Sequence, residues 1–503
     1  MPFNLSHKTS CPLKPTERFD VLKQIAIPLQ KEIKTSHLST KMKKIGYFHI
    51  GLAMFLGCMT ASAEQTITFF DDVVFYDGYN ETIFGADEND GVLRHRNSLY
   101  AVKMTDGQLD AFGEITEMNV TIRPLCDNYD RIGNINLAFV PKGQDSYTID
   151  GEGVERIELG RFITPFMNYH KLPNRVPYSF QVDYLTHLFH DTAMREKYDF
   201  WLEFELFGMP YSANTQIAGC ADRNDIFSGT LEFVTSEPAM ASNDDNVLIP
   251  IVMKKPEYQG NNLNNYNESA TDEIGKTEKT YTFTLDADVN DAQIVLITSN
   301  HGANANGEEY NRRWHYIYID GNEEPVLTYK PGRESCEPFR KYNTQPNGIY
   351  GSIRMSDEEW QSFSNWCPGD VIDNRIIRLG AMKAGEHSVK ISVPEAVFPE
   401  QQGDIPVSMF FQGLKTGEFK DDAGISSIVR EPFVKVSYSG DLIELSSEQE
   451  ILEVEIYSIS GNCIYRSFDN CNVISLAGME KGIYLLNAYL DNDVIATHKI
   501  VRN

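Results

Sequence analysis

Cys126-Asp127-Asn128-Tyr129-Asp130-Arg131 sets two carboxylates, a guanidinium and a phenol side by side, between two runs of alternating apolar residues. A carboxylate in such a loop can orient or deprotonate water, and an acidic partner can protonate a leaving group. A neighbouring cation can steady a developing oxyanion. The plainer reading of the same residues is an Asp–Arg pair closing a turn. A second acidic candidate is Glu205 in Phe204-Glu205-Leu206-Phe207, where Glu203 and Glu205 alternate with apolar neighbours and could simply face solvent. Gly307-Glu308-Glu309-Tyr310-Asn311 is a third acidic cluster beside an aromatic ring. The chain has no Gly-rich phosphate loop, no His-Glu-x-x-His, no Gly-x-Ser-x-Gly and no Cys-x-x-Cys, and its eleven histidines include no His-x-His. His187 and His190, the closest pair, read as surface residues of one short helix, so no metal site is expected.

The elements that must hold these loops read as strands. Aromatic residues are plentiful, with 25 Tyr and 28 Phe, and flat side chains suit a pleated, half-buried surface. Val120 and Ile122 share one face of Glu117–Pro124, and Ile135, Leu137 and Phe139 alternate beyond the polar loop. Tyr184–His190 is the one helix expected in this first unit, and the small, acidic Ser236–Asn246 is a natural boundary. In the second unit Ile294–Ile297 reads as a buried strand, His301–Arg313 as a long polar loop, and Trp314–Ile319 as a strand closed by Asp320-Gly321-Asn322. Lys415–Arg430 reads as a linker, followed by short strands at Val434–Tyr438, Ile451–Tyr457, Ile483–Leu490 and Val494–Val501. The fold class is all-β. Residues 64–238 and 246–413 are expected to form two jelly-roll (β-sandwich) domains, with a linker at 414–430 and a small β-sandwich at 431–503.

The N-terminus reads as an export signal. Met42 is followed by Lys43 and Lys44, an apolar run from Ile45 to Met59, and small residues in Ala61-Ser62-Ala63. Residues 42–63 are therefore expected to be a signal peptide and 1–41 an extension upstream of the true start. Cys58 offers the alternative of a lipidated cysteine. The first 63 residues carry nine basic and three acidic side chains, so their removal leaves 36 against 69 and a net charge of −33. Such a surface repels nucleic acid and anionic membranes. Six cysteines remain, an even number that fits disulfides in an exported chain.

Three segments, taken in order, resemble the bacterial peptide-N-glycosidase F family: the Cys-Asp-x-aromatic-Asp-Arg loop, Gly160-Arg161-Phe162-Ile163-Thr164-Pro165-Phe166, and Trp366-Cys367-Pro368-Gly369. The likeness spans roughly residues 66–413. It implies two jelly rolls side by side with the site in the cleft between them. The implied reaction is hydrolysis of the amide joining asparagine to the innermost N-acetylglucosamine, by a monomer acting on N-glycoproteins or N-glycopeptides. No metal or organic cofactor is implied.

By the same resemblance Asp130 is the principal catalytic acid, Tyr129 and Arg131 contact the sugar core, and Glu205 is a second acid with Phe207 a substrate-binding aromatic beyond it. Glu309 is the third acid, with Glu308 the alternative. The family's Cys-Ala-Glu-Trp-Cys is replaced here by Gly307–Asn311, so a local disulfide is missing. Trp366 is either a sugar-stacking platform or a tryptophan buried beside a disulfide. Gln361–Asn365 lacks the arginine that the family carries before Trp-Cys-Pro-Gly, and Arg354 is the candidate to replace it. His301 lies near a Trp-Gly-His element of the family but receives no role. Cys336 and Cys367 match a family disulfide; Cys126 lacks its family partner and is expected to pair with Cys220 instead, and Cys463 and Cys471 could bridge a hairpin.

The C-terminal module resembles the type IX secretion sorting domain in Val454–Gly461, Gly482–Leu486 and Lys499-Ile500-Val501, so the protein is expected in the periplasm, on the outer surface or secreted. Two other readings remain: a non-catalytic glycan-binding protein, favoured by the missing arginine, and a copper monooxygenase, disfavoured by the scarcity of histidines.

Overall fold

The computed structural model describes residues 64–87, 89–254, 263, 273–301, 308–345, 365–398, 403–419, 434–439, 442–447, 451–458, 463–468, 471–479, 481–490 and 495–502. The signal-peptide reading, Cys58, Arg354 and most of the expected linker fall outside these residues. In the first sandwich the strands are β1 (Glu64–Tyr76), β2 (Val92–Arg96), β3 (Leu99–Lys103), β4 (Thr116–Pro124), β5 (Ile132–Pro141), β6 (Glu155–Ile163), β7 (Val176–Gln181), β8 (Tyr198–Leu206) and β9 (Asp225–Ser236). They form sheets ordered β1-β9-β4-β7 and β6-β5-β8-β3-β2. Alternation decides which side chains go inward. Phe200, Leu202, Phe204 and Leu206 of β8 enter the core with Phe75, Tyr100 and Phe162, and Glu203 and Glu205 point to the other face. Phe75 stacks on Tyr100 at 4.7 Å and meets Phe204 edge-on at 5.0 Å. Four short helices stand here where one was expected, at Asp106–Leu109, Tyr184–Phe189, Thr192–Lys197 and Ala213–Gln216. His190, read as a surface residue, is buried, with its Nε2 2.8 Å from the Phe112 carbonyl.

The second sandwich comprises β10 (Asn246–Val252), β11 (Glu278–Leu285), β12 (Asp291–Thr298), β13 (His315–Ile319), β14 (Leu327–Tyr329), β16 (Arg375–Arg378), β17 (Gly385–Ser392) and β18 (Val407–Leu414). Its sheets run β10-β18-β12-β16 and β11-β17-β13-β14 around Ile294, Leu296, Ile317, Val389, Ile391 and Phe411. Asp320 and Gly321, at φ 52° and 69°, turn the chain after β13 in the left-handed region. The first residues of the expected linker are pinned, because Asp245 accepts hydrogen bonds from the Thr416 and Gly417 amides and Phe419 is buried. The C-terminal module is a third sandwich, with three strands in one sheet and four in the other, around Ile443, Val454, Ile456 and Leu486.

One strand crosses between the first two sandwiches. The turn at Cys367-Pro368-Gly369, with Gly369 at φ 102°, delivers β15 (Val371–Ile372) to the edge of β6, pairing Val371 with Phe162 and Ile372 with Arg161. Arg161 is fully buried. Its Nε and Nη2 donate to both oxygens of buried Glu158, and its Nη1 to Ser299 Oγ and the Pro406 carbonyl of the second sandwich. Ser408 donates to Glu158 in turn. Asn374 Nδ2 reaches the Leu159 carbonyl at 2.6 Å.

Disulfides join Cys126 to Cys220 and Cys336 to Cys367. Cys463 and Cys471 are not bridged. Each Sγ instead lies within reach of a nearby backbone carbonyl, of Tyr465 and Ser467 respectively. Removing one partner of a buried ion pair strands the other charge, so Arg161→Ala is expected to cost about 3–5 kcal/mol in chemical denaturation. Arg161→Met combined with Glu158→Leu should cost much less, and an equal loss in both would show that the pair's charge is not what matters.

Candidate active site

The loop before β5 is anchored from below and from the side. Buried Asp127 accepts the amides of Tyr129 (2.9 Å) and Met209 (2.8 Å) and a two-pronged bond from Arg131, Nε at 2.7 Å and Nη2 at 3.2 Å. Arg131 thus closes the loop, as the plainer reading had it, with its guanidinium 5.0 Å over the Tyr129 ring. Thr164 holds the other side. Its Oγ1 accepts from the Arg131 amide at 2.7 Å and donates to the Tyr129 carbonyl at 3.0 Å, and its own amide donates to the Arg131 carbonyl. Asp130 lies between these fixed points, so its backbone has little freedom.

Glu309 comes from the second sandwich, on the 3-10 turn Glu308–Tyr310. The two neighbouring glutamates are used differently. Glu308 is buried in an ion pair with Arg313 (3.0 Å) and accepts the Val397 amide at 3.1 Å, so its carboxylate is occupied in holding the turn. Glu309 is the one whose charge acts on Asp130. Asp130 is half-buried, and burial pushes its carboxyl well above the usual aspartate range. The negative charge of Glu309 pushes it further, against the opposing pull of Arg131, with Asp127 adding a smaller like-charge effect.

Glu205 has the opposite surroundings. It sits opposite Asn134 in the β5/β8 ladder and takes hydrogen bonds from Arg96 Nη2 (2.5 Å) and Asn134 Nδ2 (3.1 Å), with Lys254 Nζ of the second sandwich at 3.5 Å. Burial alone would raise its carboxyl, but Lys254, Arg96, Arg156 and the Asn134 bond overcome it and hold the value at about 2. Neither Glu203 nor Glu205 is the solvent-facing residue that alternation allowed. Glu203 is fully buried among Arg156, Tyr147 and Asn136. The structure therefore brings Asp130 and Glu309 together and sets Glu205 apart as a carboxylate ringed by cations.

The aromatic candidates divide as well. Phe207 is half-buried against the exposed ring of Tyr79 at 5.1 Å, and Tyr129 lies between Phe166 and the exposed Tyr211. Trp366 is only 4 % exposed, packed with Cys336, Cys367, Phe166 and Ile163, and its Nε1 donates to the Asn300 carbonyl at 3.2 Å. It is the tryptophan buried beside a disulfide, and its covered ring cannot serve as a stacking platform. His301 is buried with Nε2 2.7 Å from Ser299 Oγ, and burial, then Arg161 and Lys254, lower it to about 3, so it stays neutral. A cavity of about 450 Å³ lined by Arg156, Lys197, Leu248 and Ile251 lies at the opposite end of β6 from Asp130. Among the described residues no three His, Cys, Asp or Glu side chains gather as a metal site would require. Thr164, Arg96, Lys254 and Asn365 hold this arrangement; Thr164 and Asn365 lie in segments that the sequence singles out without giving either a role, and Arg96 and Lys254 lie outside them.

Paired antiparallel sandwiches joined by the β15–β6 pairing make this a two-domain β-sandwich protein. The chain belongs to the peptide-N-glycosidase F family: residues 66–221 match its N-terminal domain and 265–412 its C-terminal domain. Residues 439–503 match the secretion system C-terminal sorting domain, which marks the protein for export. Among solved structures, two crystal forms of PNGF-II match with TM-scores of 0.50 at 17 % and 19 % identity, over 70 % of this chain and 65 % and 66 % of theirs. The chain thus spans slightly under two thirds of these relatives, and at such identities the likeness is one of fold. PNGase F, a glycosylasparaginase from Flavobacterium meningosepticum, matches at 14 % identity and TM-score 0.42, over 71 % of this chain and 98 % of its own. No curated protein sequence matches.

The two carboxyl environments predict opposite pH behaviour. Glu205 is depressed from 4.5 to about 2, so its stabilisation is complete above the ordinary glutamate range and disappears as pH falls towards 2. Glu205→Gln should destabilise by roughly 2–3 kcal/mol at neutral pH, with the difference closing below about pH 4. Asp130 is raised, so the folded state holds its proton more tightly than the unfolded one, and stability falls as pH rises through that window. Asp130→Asn should therefore raise Tm in mildly alkaline buffer, with the gain shrinking on acidification. A Tm below wild type at every pH would contradict this.

Proposed function

We propose that the protein hydrolyses the amide between asparagine and the innermost N-acetylglucosamine of N-glycans, leaving aspartate on the peptide and releasing a glycosylamine. The observation that carries this reading is that the charge of Glu309 acts on Asp130, the two acids being contributed by different sandwiches. An amide resists hydrolysis because water is a weak nucleophile and the amine is a poor leaving group. Burial and the negative charge of Glu309 favour the protonated form of Asp130, so the pair can hold a proton. In that state one carboxylate takes a proton from water as the hydroxyl adds to the side-chain carbonyl carbon. The protonated partner then gives its proton to the nitrogen as the carbon–nitrogen bond breaks. The net change is one water consumed, one amide cleaved and one amine released.

Glu205 does not fit the donor role, because a carboxyl held at about 2 carries no proton at working pH. It fits the orientation of substrate hydroxyls or of the Arg96 and Lys254 cations beside it. Arg131, already bound to Asp127, places positive charge next to the acidic pair, where a tetrahedral oxyanion would form. Phe207, Tyr79, Tyr129 and Tyr211 supply rings for sugar or peptide contacts around the same loop.

A fluorescent N-glycopeptide incubated with the full chain tests this, with the product peptide examined by mass spectrometry for conversion of asparagine to aspartate. Wild type should release the glycan, and Asp130→Asn and Glu309→Gln should each lower kcat by at least about 1,000-fold. Saturable binding of the glycopeptide without release would instead favour the glycan-binding reading.

A further inference from the structure

We infer that Asn365 is the positioning residue that sets Glu309 against Asp130, doing by hydrogen bonds what a covalent link across the Glu309 turn would do. The inference deepens the proposed function and rests on it for the chemistry, but its geometry stands separately. Asn365 is fully buried, and its side-chain amide is spent on two elements of the second sandwich. Nδ2 donates to the carbonyls of Glu308 (3.1 Å) and Glu309 (2.5 Å), and Oδ1 accepts the Asn300 amide at 3.2 Å. Its backbone amide also points at the Glu309 carbonyl, 3.4 Å away. The 3-10 turn is thereby held at the peptide that carries the Glu309 side chain. Glu308 pins the preceding residue through Arg313 and the Val397 amide.

Asn365 is itself held in place. The next residue, Trp366, is buried and bonded to the Asn300 carbonyl, and Cys367 is bridged to Cys336. Gly332, at φ 72°, lies so close that a Cβ there would come within 2.4 Å of the Asn365 carbonyl. A short segment joined to the turn on one side and to a disulfide on the other can transmit position with little slack. Only a side chain that offers both a donor and an acceptor on one carbon meets the Asn300 amide and the two carbonyls at once. Asp keeps the acceptor and sets a second oxygen against two carbonyl oxygens; Ala loses both functions.

The groups facing Asp130 are Glu309 across the junction and Arg131 and Asp127 from its own loop. Releasing the turn weakens the first and leaves the other two in place. This gives a readout that a merely structural role would not move. Asp130 is titrated in the full-length protein carrying 13C-carboxyl aspartate, with its resonance assigned by loss in Asp130→Asn. In Asn365→Ala and Asn365→Asp the Asp130 midpoint should move to lower pH. In Asn374→Ala, which loosens the sandwich junction elsewhere, it should stay where wild type has it. With the glycopeptide, kcat of both Asn365 variants should fall about 100-fold while KM changes by no more than about threefold, the pattern of a misplaced group.

An unmoved Asp130 midpoint in both Asn365 variants would overturn the assignment, as would unchanged kcat measured well below their Tm. If Asn365→Ala does not fold, the nearly isosteric Asn365→Asp carries the same test. If wild type releases no glycan, the glycoamidase reading falls while the titration still decides the role of Asn365.

Discussion

A guanidinium and a carboxylate with no access to water, Arg161 and Glu158, tie the two sandwiches into one register. Burying such charges costs several kcal/mol each unless every hydrogen-bonding group finds a partner. Here the partners come from both domains: Ser299, the Pro406 carbonyl and Ser408 from the second meet the pair from the first. Sliding one sandwich over the other would strand these groups in the interior, so a single docking geometry is strongly preferred. The β15–β6 pairing beside it adds backbone direction to the same lock. The site inherits that registration, because Thr164, which clamps the Asp130 loop, sits just beyond the end of the strand carrying Arg161.

Two acids placed on either side of this junction are in electrostatic conflict, and the fold does not relieve it. Arg131 is turned towards Asp127, which leaves Asp130 next to Glu309 with only partial compensation. A short way along the sheet Glu205 is given Arg96, Lys254 and Asn134 and kept ionised. Carboxyl groups are therefore given opposite shifts in proton affinity by their neighbours. The unrelieved pair lowers stability, and the interlocked sandwiches beneath it supply the rigidity to hold it.

How much of this could be read from the chain depends on range. Strands such as β4, β8 and β17 are legible because alternation is local, and the two-sandwich plan follows from their number and the acidic break near residue 240. Asp130 stands out because its loop packs charge and aromaticity into six positions. Glu308 and Glu309 cannot be told apart locally, since both are acids before a tyrosine; Arg313 and Val397, brought in by the fold, decide between them. Trp366 fails as a platform for the same reason, its exposure being set by a cluster assembled from both sandwiches. His190 and the unbridged Cys463 and Cys471 show that spacing alone does not fix burial or pairing. The additional helices are too short to show a 3.6-residue period. Lys254 leaves no local mark at all, and Asn365 ends a segment marked only by the arginine it lacks, because each acts on a partner far away in sequence.

Asn365 also shows how a site can tolerate the loss of a covalent staple. A disulfide restricts the unfolded chain as well as the folded one, whereas hydrogen bonds act only once their surroundings exist. A turn held by Asn365 is therefore only as firm as what holds Asn365. That support is the Cys336–Cys367 bridge, the Trp366 indole bonded to Asn300 and the close approach of Gly332. The covalent constraint lies one step away from the Glu309 turn and reaches it through two buried side chains. Such an arrangement keeps the acid in place without cysteines in its own turn, and it makes the position of Glu309 depend on residues that lie well away from it in sequence.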